Sequence, residues 1–184
     1  MATKKNKNPL GNGFVSGVGS IEDSTLASML RGYKSRVAGG YRALTKEDIK
    51  SAISPGKHMV SPKVDGELWF LVMEGKDHWL GNPNGRIISG DIPLLKEAAT
   101  LSNRFHNRTV LAGELFAAGK KDRARVGDLR SAMGGGKKAD VDRLGFMAFD
   151  LLEGGDKKKQ VPFENYAETL TTIQSLLEGG KRIQ

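Results

Sequence analysis

The chain has 184 residues, 38% of them hydrophobic and 27% charged, which is enough to bury the core of one soluble domain. A net charge of +8 and a pI near 9.7 favour an anionic partner, and nucleic acid is the commonest such partner. The absence of cysteine excludes disulfides and thiolate metal sites, and no apolar run reaches membrane-spanning length. The basic N-terminus lacks the apolar segment of a secretory signal, so we expect an intracellular, cytoplasmic location.

The basic residues are spread over several polar segments rather than along one helix face. They cluster in four places: Lys4–Lys7, Lys120–Arg130, Lys137–Lys138 and Lys157–Lys159. This distribution is typical of phosphate contacts made from several loops, whereas a single recognition helix would concentrate them.

The N-terminal part of the chain is predicted to contain a tail and a short helix. Residues 1–22 are rich in Lys, Asn and Gly without a sustained period, which predicts a flexible basic tail before a folded part over residues 23–184. Asp23 or Ser24 can cap a helix, which we expect to stop at Gly32. A second helix is predicted over residues 45–53, where an S/T-x-x-D start signal precedes Pro-Gly.

The centre and the C-terminal part of the chain contain strongly β-prone runs. Residues 67–73 and 78–80 form a predicted hairpin around the turn at 74–77, and residues 109–117 and 145–152 are predicted to be buried strands.

Three further segments have apolar residues at helical spacing. Pro93 and Pro162 are predicted to open two of these helices, and Gly134 to close the third. The apolar stripes are Leu94, Leu95, Ala98 and Leu101; Val126, Leu129 and Met133; and Tyr166, Leu170, Ile173 and Leu177. Strands and helices alternate irregularly, which predicts an α+β fold with a largely antiparallel sheet.

Several familiar site patterns are absent from the sequence. The glycines at 134–136 and Lys137 lack the Ser/Thr and the preceding strand of a phosphate-binding P-loop, so we interpret them as a helix end and a basic loop. The three histidines have no partner at metal-binding spacing. No G-x-S-x-G elbow supports a serine hydrolase.

The segment around Lys63 is the strongest functional candidate. Lys63 is followed by Asp65 and Gly66 and precedes an apolar, β-prone run, a setting in which most lysines are ordinary surface residues. A lysine nucleophile must be neutral to attack phosphorus, and burial or a neighbouring cation favours the neutral form.

Three further segments accompany SPKVDGE in order along the chain: GNPNGRIISGDIP, LAGELF with Glu114, and FMAFDLLEGG with Phe149. This series resembles the motifs of covalent nucleotidyltransferases, and most closely those of the adenylation domain of ATP-dependent DNA ligases, over residues 45–178. The resemblance implies an α+β nucleotidyltransferase core, similar to ATP-grasp-type ligases. Leu68 and Ser61 replace the arginine and the acidic residue that DNA ligases usually have at those positions.

The resemblance implies a role for each matched residue. Lys63 would attack the α-phosphate of ATP, release pyrophosphate and carry AMP through a phosphoramide bond. Glu114 would hold the ribose or Mg²⁺, and Phe149 would stack on the adenine, although a strand aromatic is most often a core residue. The other nucleotide-binding candidates are Ser61, Pro62, Val64, Asp65, Gly66 and Arg86.

The fourth and fifth motifs of the family have no match before Gln184. We therefore expect a core that is incomplete at its C-terminal side, with a second polypeptide as one way to complete it. Nucleic acid, favoured as nicked duplex DNA, is the expected partner. Two alternatives remain: an RNA ligase or capping-type transferase, and a non-catalytic nucleic-acid-binding remnant.

Overall fold

The computed structural model of the chain describes residues 7–38, 40, 42–56, 58, 62–118 and 125–184. Within these residues, one antiparallel sheet of seven strands is accompanied by five α-helices, which confirms the predicted α+β class. No helix in these ranges is long and apolar enough to cross a membrane. The strands are β1 (Asn8–Leu10), β2 (Gly13–Val15), β3 (Glu67–Glu74), β4 (Asp77–Gly81), β5 (Ile87–Gly90), β6 (Thr109–Ala117) and β7 (Leu144–Glu153); the helices are α1 (Ser24–Ala38), α2 (Ile49–Ala52), α3 (Pro93–Leu101), α4 (Val126–Met133) and α5 (Tyr166–Leu177).

The sheet has the strand order β1-β2-β5-β4-β3-β6-β7 and is covered on both faces. Alternate side chains of β3 enter different clusters, because successive residues of a strand point to opposite faces. Trp69 and Leu71 join the larger cluster with residues of α3, α4 and α5, whereas Phe70 joins a smaller cluster with Leu30 and Tyr33 of α1. We call the second side the α1 face. Burial on both sides explains why β3 is almost continuously hydrophobic.

Helix α1 begins where the sequence predicts but does not stop at Gly32. Asp23 caps it, since the backbone N–H of Leu26 donates to Asp23 Oδ1 at 3.0 Å. The apolar stripe continues through Leu30 to Tyr33, and both side chains are buried against the sheet. That burial outweighs the roughly 1 kcal/mol by which glycine disfavours a helix interior.

The later helices differ from prediction mainly at their ends. Helix α2 has four residues rather than nearly the whole of 45–53. Helix α5 begins at Tyr166 rather than at Pro162, because the Asn165 side chain caps it by accepting from the N–H of Glu168 at 3.0 Å. Helix α4 ends before Gly134, as predicted, and a short 3₁₀ turn follows at Gly136–Lys138.

The prediction of a flexible tail over residues 1–22 is wrong for its central part. Strands β1 and β2 form a hairpin that pairs with β5 through Phe14 and Ser89. Leu10 is fully buried. Strands of three residues separated by a Gly-Asn turn are too short to show a hydrophobic period, which is why the pattern failed to predict them.

We expect Leu10→Ala to lower the free energy of unfolding by about 2–5 kcal/mol, because it removes a fully buried side chain from the core. Phe14→Ala is the matched control: Phe14 lies in the same hairpin but is 43% exposed, so its loss should cost only about 1 kcal/mol. Urea unfolding of both variants measures the difference. Wild-type stability in both would mean that this segment does not belong to the folded sheet.

Candidate functional site

Glu114 is the carboxylate that β6 places on the α1 face. Leu111 and Leu115, on the opposite side of the strand, enter the larger cluster, whereas Val110 and Ala112, which share the side of Glu114, enter the cluster under α1. Glu114 lies near the end of β6, opposite Leu68 of β3, and is half-buried. A carboxylate in this position loses part of its hydration and needs polar partners.

The loop that carries Lys63 supplies one of these partners. The backbone N–H of Gly66 donates to Glu114 Oε1 at 3.2 Å. This bond joins the segment before β3 to the inner strand β6, although the two residues are far apart in sequence. Lys63 and Asp65 lie just before Gly66, and Lys63 is exposed whereas Asp65 is half-buried.

Gly66 can approach β6 closely because it has no side chain. A Cβ at this position would clash with the carbonyl oxygen of Leu115 and would lie 3.0 Å from Glu114 Cγ. The backbone of residue 66 therefore packs against the strand itself. The motif predicts that the missing side chain of Gly66 lets this loop approach a nucleotide. In the structure, the backbone that Gly66 approaches is that of β6.

Charged groups converge on Glu114. Burial raises the pKa of its carboxyl above the usual 4.5, and the nearby negative charge of Asp65 acts in the same direction. The hydrogen bond from Gly66 lowers this pKa, as do the positive charges of Lys63 and Lys34. Lys63, Asp65 and Lys34 are therefore all within electrostatic reach of one half-buried carboxylate.

Phe149 lies on the same face of the sheet as Glu114. It is the extra residue of a β-bulge in β7, because Asp150 pairs with Ala112 while Ala148 pairs with Gly113. Phe149 is half-buried against the cluster under α1, and its ring centroid lies 6.5 Å from that of Tyr33. The bulge thus gives the α1 face a partly exposed aromatic ring.

Tyr33 connects helix α1 to strands β3 and β7. Its ring packs edge to face on Phe70 of β3 at 5.5 Å, and its hydroxyl donates to Asp150 Oδ2 at 2.9 Å. The adjacent Lys34 is exposed. The sequence analysis does not predict a role for either residue, because it expects the first helix to end at Gly32. The apolar stripe continues from Leu30 to Tyr33, and this spacing is the signal that would have predicted a longer helix.

The other predicted residues are placed as follows. Pro62 is exposed and Val64 is half-buried in the loop before β3, whereas Ser61 lies outside the described residues. Arg86 precedes β5, where its backbone closes a turn with the side chain and N–H of Asn82. Arg86 is not among the charges that act on Glu114. The structure therefore groups Lys63, Asp65, Gly66 and Glu114 closely, with Phe149 on the same face, and leaves Arg86 outside this group.

Glu114 and Asp65 are two carboxylates of this group, and Asp65 is near enough for its charge to act on Glu114. The described ranges contain no group of three or more His, Asp or Glu side chains that could hold a metal ion by themselves. Mg²⁺ commonly takes only one or two carboxylates and completes its coordination with phosphate oxygens and water. Two carboxylates match the number of protein ligands that such an ion needs.

A cavity of about 960 Å³ lies at the opposite end of β3, and neither Lys63 nor Glu114 nor Phe149 lines it. Two of the charged groups in its lining neutralise each other, since Arg108 contacts Asp23 at 2.8 Å. Arg108 also contacts Glu153 at 2.8 Å. We place the candidate site at Glu114 instead. A lysine that can act as a nucleophile, a carboxylate of opposite charge and an aromatic ring lie on that part of the sheet.

Comparison with protein-family models gives no match to this chain. Comparison with curated protein sequences also gives none.

Gly66→Ala should lower the free energy of unfolding by about 1–3 kcal/mol, because the new methyl group clashes with the backbone of β6. Gly127→Ala is the control: it lies in α4 with nothing within 4 Å of the added Cβ, so stability should be unchanged or slightly higher. Chemical unfolding distinguishes the two. Equal stabilities would show that residue 66 does not pack against β6.

The raised pKa of Glu114 predicts a specific pH dependence. The folded protein binds this proton more tightly than the unfolded chain, whose carboxyl titrates near 4.5. The stability that this group contributes is therefore fully present below pH 4.5 and is lost as the pH rises through the folded pKa. Glu114→Gln should abolish this loss in urea unfolding measured at a series of pH values from about 4 to 7.

Glu47→Gln is the control for this titration, since it removes a carboxylate of the same type from an exposed position. It should retain the wild-type slope. A Glu114→Gln variant with the same slope as wild type would contradict the raised pKa.

Proposed function

We propose that this chain is an ATP-dependent nucleotidyltransferase of the polynucleotide ligase type, in which Lys63 becomes covalently adenylated. The observation that carries the proposal is the hydrogen bond from Gly66 to Glu114, because it brings the Lys63 loop to a half-buried carboxylate. The ordered series of motifs around Lys63, Glu114 and Phe149 supports the same reaction.

In the proposed step, a nitrogen–phosphorus bond forms between Lys63 Nζ and the α-phosphorus of ATP. The bond from that phosphorus to the bridging oxygen breaks, and pyrophosphate leaves with its electron pair. The attack needs the neutral amine, and one proton leaves the nitrogen as the phosphoramide forms. The exposed position of Lys63 gives that proton a path to water.

Glu114 and Asp65 would hold Mg²⁺ together with phosphate oxygens, and the ion supplies charge neutralisation on the phosphates. Glu114 is suited to this role because Gly66 donates to one of its oxygens, Oε1, which orients the carboxylate. Phe149 would stack on the adenine through the part of its ring that remains exposed. Tyr33 supports that ring from the α1 side.

The acceptor of the adenylyl group is proposed to be the 5′-phosphate of a nucleic acid, favoured as a nicked DNA duplex. The net charge of +8 supports an anionic partner. Lys137, Lys138, Lys157 and Lys158 belong to two separate basic loops, whereas residues 4–6 and 120–124 lie outside the described part of the chain. Binding through such contacts should weaken steeply with salt.

Lys63→Ala should abolish transfer of label from α-labelled ATP to the protein in magnesium buffer. Lys63→Arg should abolish it equally, because guanidinium stays protonated and is not a nucleophile. Lys76→Ala is the matched control, since Lys76 is an exposed lysine at the opposite end of β3 and should retain wild-type labelling. Labelling of Lys63→Ala would assign the nucleophile to another residue, and an unlabelled wild-type chain would favour the non-catalytic binding remnant.

A further inference from the structure

The bulge in β7 directs two consecutive side chains, Phe149 and Asp150, to the α1 face. Successive residues of a regular strand point to opposite faces. Ala148 and Leu151, on either side of this pair, belong to the larger cluster on the opposite face. Phe149 packs against the cluster under α1, and Asp150 accepts a hydrogen bond from that helix. The direction of the Phe149 ring therefore depends on a local irregularity of the strand, and bulges commonly redirect a side chain in this way.

The polar groups of the bulge are held by one tyrosine from each of two helices. Asp150 Oδ2 accepts from the Tyr33 hydroxyl at 2.9 Å, and Asp150 Oδ1 accepts from the backbone N–H of Leu151 at 2.9 Å. The carbonyl of Phe149 accepts from the hydroxyl of Tyr166, the first residue of α5, at 2.7 Å. Tyr33 is 4% exposed, whereas Tyr166 is 55% exposed. Water can therefore replace the bond from Tyr166 more readily, and the bond from Tyr33 is the stronger constraint on the bulge.

Tyr33 has a fixed position over the sheet. It lies above one row of paired residues that runs across β3, β6 and β7, from Phe70 to Asp150. Its ring packs edge to face on Phe70 at 5.5 Å and its hydroxyl bonds Asp150, so the side chain is held at both ends of the row. Glu114 belongs to the next row on the same face. The Phe149 ring, 6.5 Å from the Tyr33 ring, is thus held by Tyr33 on the face of the sheet that carries Glu114.

We propose that Tyr33 is a positioning residue that holds Phe149 for stacking on a purine base, so that the site prefers purine over pyrimidine nucleotides. The inference rests on the proposed function and extends it to how the base is selected. An aromatic ring that is fixed before binding loses less conformational freedom when a base stacks on it. A purine has the larger π-face, so a fixed ring favours it over a pyrimidine. Tyr33 acts through Phe149 and does not itself contact the base.

Equilibrium binding of ATP, CTP and inorganic tripolyphosphate, in magnesium buffer, tests this role. All variants are made in the full chain with Lys63→Ala, so that no covalent product forms. Tyr33→Phe keeps the ring contacts and removes only the hydroxyl that bonds Asp150. It should weaken ATP binding about threefold to tenfold, because the stacking ring loses its fixed position, and should weaken CTP binding less. Tripolyphosphate has no base to stack, so its binding should change less than about twofold.

Two further variants show whether the effect passes through the ring. Phe149→Ala should lower the ratio of ATP affinity to CTP affinity at least as far as Tyr33→Phe does. Combining the two changes should lower this ratio no further than Phe149→Ala alone, since both act on one contact. Ile88→Val is the control for stability. It shortens a fully buried side chain on the opposite face of the sheet and should leave the ratio unchanged.

Equal losses for all the ligands, or an unchanged ratio in Tyr33→Phe, would overturn the positioning role. Additive losses in the combined variant would also overturn it, because Tyr33 would then act independently of Phe149. Labelling of the wild-type chain with α-labelled ATP separates this result from the proposed function. A lowered ratio without labelling would support Tyr33 and reject adenylyl transfer, whereas labelling with an unchanged ratio would do the reverse. A chain that binds neither nucleotide would reject both.

Discussion

The candidate site depends on a half-buried carboxylate near the end of an inner strand. Glu114 follows Val110 and Ala112 on the same face of β6, and both of these residues are apolar and buried. Burial penalises its charge, and the hydrogen bond from Gly66 together with the charges of Lys63 and Lys34 offsets part of that penalty. The same hydrogen bond from Gly66 holds the lysine-bearing loop beside Glu114.

The proposed chemistry follows from how the sheet orders these parts. Antiparallel pairing of β3 with β6 sets Leu68 opposite Glu114, so the loop before β3 necessarily ends beside the carboxylate. Pairing of β6 with β7 brings Phe149 to the same face through a bulge. Leu68, opposite Glu114, packs against the cluster under α1 and contributes to the apolar surroundings of the carboxylate.

The elements that could be predicted are the buried strands that have long runs of hydrophobic residues. Strands β3, β6 and β7 are eight to ten residues long and appear clearly in the sequence. Strands β1 and β2 could not be recognised because three residues are too few to show a period, and their burial depends on pairing with β5. The extension of α1 past Gly32 likewise depends on tertiary packing by Tyr33, which outweighs local helix propensity.

The candidate site was predictable to the extent that motifs mark it. Lys63, Glu114 and Phe149 belong to recognisable segments, whereas the contact of Tyr33 with Phe149 becomes visible only when α1 is placed on the sheet. For Arg86 the motif segment predicted a site residue, whereas the structure places Arg86 in a turn with Asn82.

Locating the adduct on the wild-type chain tests the central claim most directly. After incubation with ATP and Mg²⁺, mass spectrometry of the digested protein should find one added AMP on the peptide that contains Lys63, in a linkage that is labile to acid and stable to base. An AMP located on any other lysine, or a chain that gains no AMP while remaining folded, would contradict the assignment of Lys63 as the nucleophile.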